Sequence, residues 1–135
     1  GDITKFDDDI QENVELWQEK TKENNTLNLN IAINYGGRDE ILRAVEKITK
    51  AVENKKLSAK KLSVEEFEKY LDTAGMPDPE LIIRTSGEQR MSGFLLWQSN
   101  YSEFYFTDTL MPDFDKKEFE KAIEELNSRK RRFGK

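Results

Sequence analysis

Leu81-Ile82-Ile83 is a run of bulky aliphatic side chains without polar alternation, and it stops abruptly at Arg84-Thr-Ser-Gly-Glu-Gln-Arg90-Met-Ser92. An alternating strand can leave one face in water, whereas a short uninterrupted apolar run bounded by turn residues reads as a buried strand. Such strands belong to parallel sheets flanked by helices, whose ligands gather beyond the carboxyl ends of the strands. Two guanidinium groups, hydroxyls and a glycine at that point form the chemistry of an anion cradle, with free backbone N–H groups as further donors. Leu27 to Asn34 reads as a second strand. It runs into Tyr35-Gly36-Gly37-Arg38 and then a helix, so glycine and arginine again follow an apolar strand. Two such ends side by side would make a diphosphate site.

Hydrophobic and charged residues each make up 36% of the chain, which leaves a thin core for 135 residues. Missing strands would explain it. The chain begins Gly1-Asp2-Ile3 without an initiator methionine, so it reads as a piece of something larger. No run approaches the ~18 to 20 apolar residues of a membrane span, and the start lacks the basic and apolar blocks of a signal peptide. A soluble, cytoplasmic protein is expected.

Cysteine and histidine are both absent, which removes disulfides, thiolate or imidazole zinc sites, Ser-His-Asp triads and Cys-His pairs together. Any metal must be held by oxygen, and magnesium is the natural candidate. A net charge of −5 argues against general nucleic-acid binding. That charge is uneven. The first 26 residues carry eight acids against three lysines, whereas Arg129, Lys130, Arg131, Arg132 and Lys135 end the chain with no acid among them.

Phe6, Ile10, Val14 and Trp17 share a helical face over Asp7 to Lys22, with Asp7, Asp8 and Asp9 at the positive end of the helix dipole. Ile41, Leu42, Val45, Ile48 and Val52 recur at helical spacing from Arg38 to Asn54. Ser63 and Glu66 form a capping box before Phe67, Tyr70 and Leu71. Two prolines and a glycine within Asp72 to Pro79 make a turn into the strand at Glu80. Phe94 to Gln98 reads as a helical turn, and aromatic Glu103 to Thr107 as a third strand. Asp115 with Glu118 caps a last helix bearing Phe119, Ala122, Ile123 and Leu126, which Gly134 is placed to stop. Strands alternating with helices indicate an α/β fold with a parallel sheet, although three short strands make a poor one.

Arg84 emerges where the buried strand reaches solvent. Alone it fits a surface salt bridge equally well; with Arg90, Ser92 and the Thr85-Ser86-Gly87 turn, the pattern favours an anion site. Glu88 between the arginines reads as their orienting or neutralising partner. Glu103, at the entry to an aromatic strand, needs either a metal or an arginine to offset burial of its charge. A lone Gly-Gly at 36 and 37 reads as structural. Phe94-Leu95-Leu96-Trp97 and Tyr101 through Phe106 read as core, and Arg129 to Arg132 as favourable charge at a helix carboxyl end.

Ile83-Arg-Thr-Ser-Gly-Glu-Gln-Arg-Met-Ser-Gly-Phe-Leu-Leu-Trp-Gln98 strongly resembles the signature of the cis-prenyltransferase family, above all its undecaprenyl diphosphate synthases. Asn30 to Arg38, Tyr101-Ser-Glu103, Phe106-Thr-Asp, Met111-Pro-Asp-Phe114 and Arg131-Arg-Phe-Gly134 resemble it too, in the expected order. The resemblance implies that Arg84, Arg90 and Ser92, with the Met91 backbone, hold the diphosphate of isopentenyl diphosphate. It implies that Glu103 helps bind Mg2+, and that Arg132-Phe133-Gly134 reaches toward a partner subunit's active site in a homodimer. Leu27, Leu29 and Ile31 would line the tunnel for the growing chain.

Gly93 stands where the family commonly has asparagine. The family's Asp-Gly-Asn-Gly-Arg motif, with its catalytic aspartate, is not in this chain. Residues 1–135 therefore resemble the carboxyl-terminal portion of a single cis-prenyltransferase domain, an incomplete parallel sheet flanked by helices. The implied parent condenses isopentenyl diphosphate with an allylic diphosphate such as farnesyl diphosphate, giving undecaprenyl diphosphate, a lipid carrier precursor for cell-wall synthesis. This portion alone is expected to be inactive. The alternatives are a noncatalytic partner subunit of a two-component enzyme, against which the Arg84, Arg90, Ser92 and Glu103 set argues, and a generic anion-binding module.

Overall fold

The computed structural model describes residues 1–129. Contacts divide the chain into two compact units, Gly1–Ala74 and the part from Gly75 onward.

In the first unit, helix α1 spans Asp8–Thr21, with Asp8 and Asp9 in its first turn, as the charge pattern predicts. Its apolar face is not buried: Trp17 is 61% exposed, with the Lys20 ammonium 4.9 Å from the ring centroid. Helix α2, Gly37–Glu53, has the stronger anchor. Gly37, Glu40, Ala44 and Ile48 recur at three- and four-residue spacing and are all buried. Buried Glu40 is satisfied by the Tyr35 hydroxyl at 2.5 Å and by the Asp72 backbone N–H at 2.9 Å. One turn along, Arg43 donates both terminal nitrogens to the Asp72 carboxylate, at 2.6 and 2.7 Å, and its Nε to Asp39 at 2.8 Å. Helix α3, Val64–Glu68, starts from the expected cap, with Ser63 Oγ accepting from Glu66 N.

The strand expected over Leu27 to Asn34 is not formed. The segment has no ladder partner among the described residues, and Leu27, Leu29 and Ile31 are 71 to 79% exposed. Alternating apolar residues prepare one face of a strand, but a strand exists only when its backbone groups find a neighbour to bond. With α1, the segment borders a groove of about 780 Å3 lined by Ile10, Val14, Trp17, Leu27, Leu29 and Ile31.

The second unit holds the sheet, of two strands rather than three among the described residues. β1, Leu81–Arg84, pairs in parallel with β2, Glu103–Phe106, in the register Leu81 to Glu103 through Arg84 to Phe106. The Glu103 N–H donating to Glu80 and the Thr107 N–H donating to Arg84 extend the ladder at both ends. Ile82 is buried, as its place in the apolar run requires. On β2, Phe104 and Phe106 lie two residues apart on one face, their rings stacked at 6.0 Å. The crossover through residues 85–102 is a chain of turns, including the one expected at Phe94 to Gln98. Helix α4, Lys116–Ser128, begins where Asp115 accepts from the N–H groups of Lys117 and Glu118. It buries Ala122, while Phe119 on the same predicted face stays half exposed. Gly134 lies outside the described residues.

Gly87 is the glycine of the crossover with both a positive φ and a close neighbour. Its φ is +70°, and an added Cβ would sit 2.9 Å from Asp108 Oδ1. Gly87→Ala is therefore expected to cost about 1 kcal/mol. The measurement is a lowered urea midpoint at unchanged slope.

Candidate functional site

Arg84 is the last residue of β1, half-buried, so the strand delivers its guanidinium to the carboxyl end of the sheet. Among the described residues its side chain enters no ion pair. The backbone then turns sharply through Ser86 and Gly87, both at φ +70°. The sequence leads to free N–H groups at this turn, and the structure corrects that expectation. The Ser86 N–H donates to the Thr109 carbonyl and the Gly87 N–H to the Thr107 carbonyl, each at 2.9 Å. These bonds splice the turn onto the chain leaving β2. They fix the turn's shape and leave the side chains that follow, not these two N–H groups, as the candidate donors to an anion.

Arg90 and Ser92 are exposed, and Met91 between them is half-buried. The Arg90 guanidinium contacts the Glu88 carboxylate, the neutralising partner expected for that acid. At this exposure the pair is worth little, so it holds the guanidinium only loosely. Ser92 adopts φ +50° and Gly93 φ +80°, and the Met91 carbonyl accepts from Phe94 N at 2.9 Å, closing the turn that carries the arginine and serine. Glycine suits the position that resembles asparagine in the family, since both residues tolerate the left-handed region.

Glu103 takes the arginine of its two alternatives. Arg129, at the end of α4, donates to Glu103 Oε2 at 2.7 Å and to the Phe104 carbonyl at 2.9 Å, and also contacts Glu125. The bond to Glu103, followed by that to Glu125, raises the Arg129 pKa above its ordinary value. No group of three or more His, Cys, Asp or Glu among the described residues is placed to hold a metal. Glu103 is thus a single carboxylate already bonded, and the described residues do not by themselves fit a magnesium ion. Sequence reasoning missed this partner for Glu103. The available signal was the four-residue spacing of Glu125 and Arg129, which placed the arginine at a helix end.

The second Gly-Arg junction, Tyr35 to Arg38, belongs to the first unit, and among the described residues no strand precedes it. Gly36 precedes α2 in extended conformation, and its carbonyl accepts from Glu40 N at 2.8 Å. This is the structural role read for the glycine pair. Arg132 lies outside the described residues. No helix among those described is long and apolar enough to cross a membrane.

The prenyltransferase family model for undecaprenyl diphosphate synthase matches residues 1–134. An isoprenyl transferase of Clostridium tetani is 48% identical over 134 residues, covering 99% of this chain and 52% of that protein. The chain thus spans about half the length of this curated relative. Among solved structures, lavandulyl diphosphate synthase from Lavandula x intermedia, in complex with dimethylallyl diphosphate, superposes with a TM-score of 0.97 at 35% identity. That match covers all of this chain and 58% of the other. A probable undecaprenyl diphosphate synthase from Campylobacter jejuni gives a TM-score of 0.84 at 40% identity, over all of this chain and 61% of the other.

Proposed function

This chain belongs to the undecaprenyl diphosphate synthase family of prenyltransferases, and we propose that it carries the isopentenyl diphosphate side of an active site completed by other parts of a longer protein. The observation that carries this reading is Arg84 ending a strand of a parallel sheet, with Arg90 and Ser92 on the loop that leaves it. Guanidinium forks match phosphate oxygens in pairs, and a serine hydroxyl completes the shell.

In the full reaction, isopentenyl diphosphate attacks the first carbon of an allylic diphosphate such as farnesyl diphosphate. A carbon–carbon bond forms, the allylic carbon–oxygen bond breaks, pyrophosphate leaves with the electron pair, and the extended chain loses a proton to leave a cis double bond. Repetition gives undecaprenyl diphosphate, the lipid carrier precursor. The arginines here bind and orient the incoming unit, which makes the encounter effectively intramolecular. The catalytic aspartate and the allylic site are assigned to residues beyond this chain, so residues 1–135 alone bind without turning over. In the same reading the exposed Leu27, Leu29 and Ile31 line the path of the product, Arg132 reaches the partner subunit's site in a homodimer, and the protein works in the cytoplasm. Magnesium, which the resemblance implies, would need ligands besides Glu103.

Calorimetry on the 135-residue chain tests the assignment. Isopentenyl diphosphate is expected to bind at least about tenfold more tightly than sulfate, a preference of roughly 1.4 kcal/mol. Equal affinity for the two would leave only a generic anion module.

A further inference from the structure

Resting on that reading of the site, we infer that Glu118 is a positioning residue for the isopentenyl diphosphate loop, acting through the hydroxyls of Thr107 and Thr109. The two carbonyls that accept from the loop, at Ser86 N and Gly87 N, belong to Thr109 and Thr107. Their own side chains are tied together: Thr107 Oγ1 lies 3.1 Å from Thr109 Oγ1 and accepts from Thr109 N at 3.2 Å. Glu118 Oε2, from the first turn of α4, accepts from the Thr109 hydroxyl at 3.3 Å and lies 3.4 Å from the Thr107 hydroxyl. Its other oxygen contacts the Lys121 ammonium.

The chemistry gives this arrangement a direction. An ionised carboxylate only accepts hydrogen bonds, so it orients the hydroxyl protons toward itself. The bond to Lys121, and to a lesser extent those from the threonine hydroxyls, keeps the Glu118 pKa below its ordinary value, so the carboxylate is charged at neutral pH. Residues 107–109 are thereby anchored to α4, and their carbonyls stay aimed at a loop whose Ser86 and Gly87 both occupy the left-handed region. Ser86 does not hold that conformation at no cost. With the anchor released, the turn has more freedom, and Arg90 and Ser92 downstream lose a fixed origin. Affinity for diphosphate should fall although Glu118 never touches it.

The test is calorimetry of the 135-residue chain with isopentenyl diphosphate, alongside thermal melting, for wild type, Glu118→Ala, Glu118→Gln and the exposed control Glu120→Ala. Glu118→Ala is expected to weaken binding about fivefold, a modest loss that suits contacts longer than ordinary hydroxyl bonds. Glu118→Gln, whose amide oxygen still accepts from both hydroxyls, should recover most of that loss, and Glu120→Ala should bind like wild type. Unchanged binding in Glu118→Ala overturns the inference. So does an equal loss in Glu118→Ala and Glu118→Gln accompanied by lower melting temperatures, which would mark a general effect on α4. If Glu118→Ala does not fold, Thr109→Val takes its place under the same criterion, since it keeps the carbonyl and removes only the hydroxyl. A wild-type chain that ignores isopentenyl diphosphate while binding sulfate sinks the site reading itself, an outcome distinct from failure of the Glu118 variants.

Discussion

Replacing Arg84 and Arg90 together by alanine is expected to weaken capture of isopentenyl diphosphate by about a hundredfold or more, with little change in stability. Each charge-assisted contact to a phosphate oxygen is worth roughly 1.5 to 3 kcal/mol, and about 1.4 kcal/mol corresponds to a tenfold change in affinity. Losing two such contacts leaves binding too weak to measure at micromolar protein. The fold should tolerate the change. Arg90 is exposed and its contact with Glu88 is solvated, while Arg84 enters no ion pair among the described residues. Lysine at both positions offers a sharper control, since it keeps the charge and removes the planar fork. An intermediate loss is expected for it, because point charges steer the ligand but do not clamp two oxygens each. Calorimetry with unaltered affinity in the double alanine variant would falsify the assignment of the site.

The largest stability effect is expected at Asp72, where Asp72→Asn should cost about 2 kcal/mol and lower the melting temperature by about 10 °C. Arg43 grips both Asp72 oxygens, and the two side chains retain only 25 and 18% exposure, so water compensates the loss of charge incompletely. The variant leaves the backbone bond from Asp72 N to Glu40 in place, so it reports on the carboxylate's ion pairs, with Arg43 and with the Gly1 ammonium at 2.9 Å. Its pH dependence has a definite sign. The hydrogen bonds from Arg43 hold the Asp72 carboxyl well below the usual carboxylate range. Stability from the pair is therefore complete above the unfolded value near about 3.9, and it is lost as pH falls from there through the lower folded value. The gap in melting temperature between wild type and Asp72→Asn should stay constant down to about pH 5 and narrow toward about pH 2. A gap that persists unchanged in acid would show that the carboxylate charge is not its source.

The helices were legible in the sequence because their evidence is local. Apolar spacing, the acids opening α1, Ser63 before α3 and Asp115 before α4 each act within a turn or two of chain, and each helix begins within a residue or two of the expected place. β1 and β2 were legible as elements from their dense aliphatic and aromatic runs. Their register was not, since the pairing of Leu81 with Glu103 depends on how the crossover folds. Leu27 to Asn34 carried as strong a strand pattern as either, yet forms no ladder, because alternation describes one strand's faces and says nothing about a partner's presence. Left-handed Ser86, Ser92 and Leu95 left no trace in composition, as none is glycine or asparagine. At the site, Arg84 ends the strand and Glu88 and Arg90 follow on the loop, the order in which the sequence places them. The anchoring by Thr107, Thr109 and Glu118 was invisible, because it joins residues that only tertiary packing relates.

The bare segment bearing Leu27, Leu29 and Ile31 sets the handling properties of the chain. Three aliphatic side chains held mostly in water, on backbone that joins no ladder among the described residues, form the kind of edge that tends to attract further strands or apolar surface. Colloidal stability is therefore expected to depend on these few residues as well as on the net charge of −5 that keeps molecules apart.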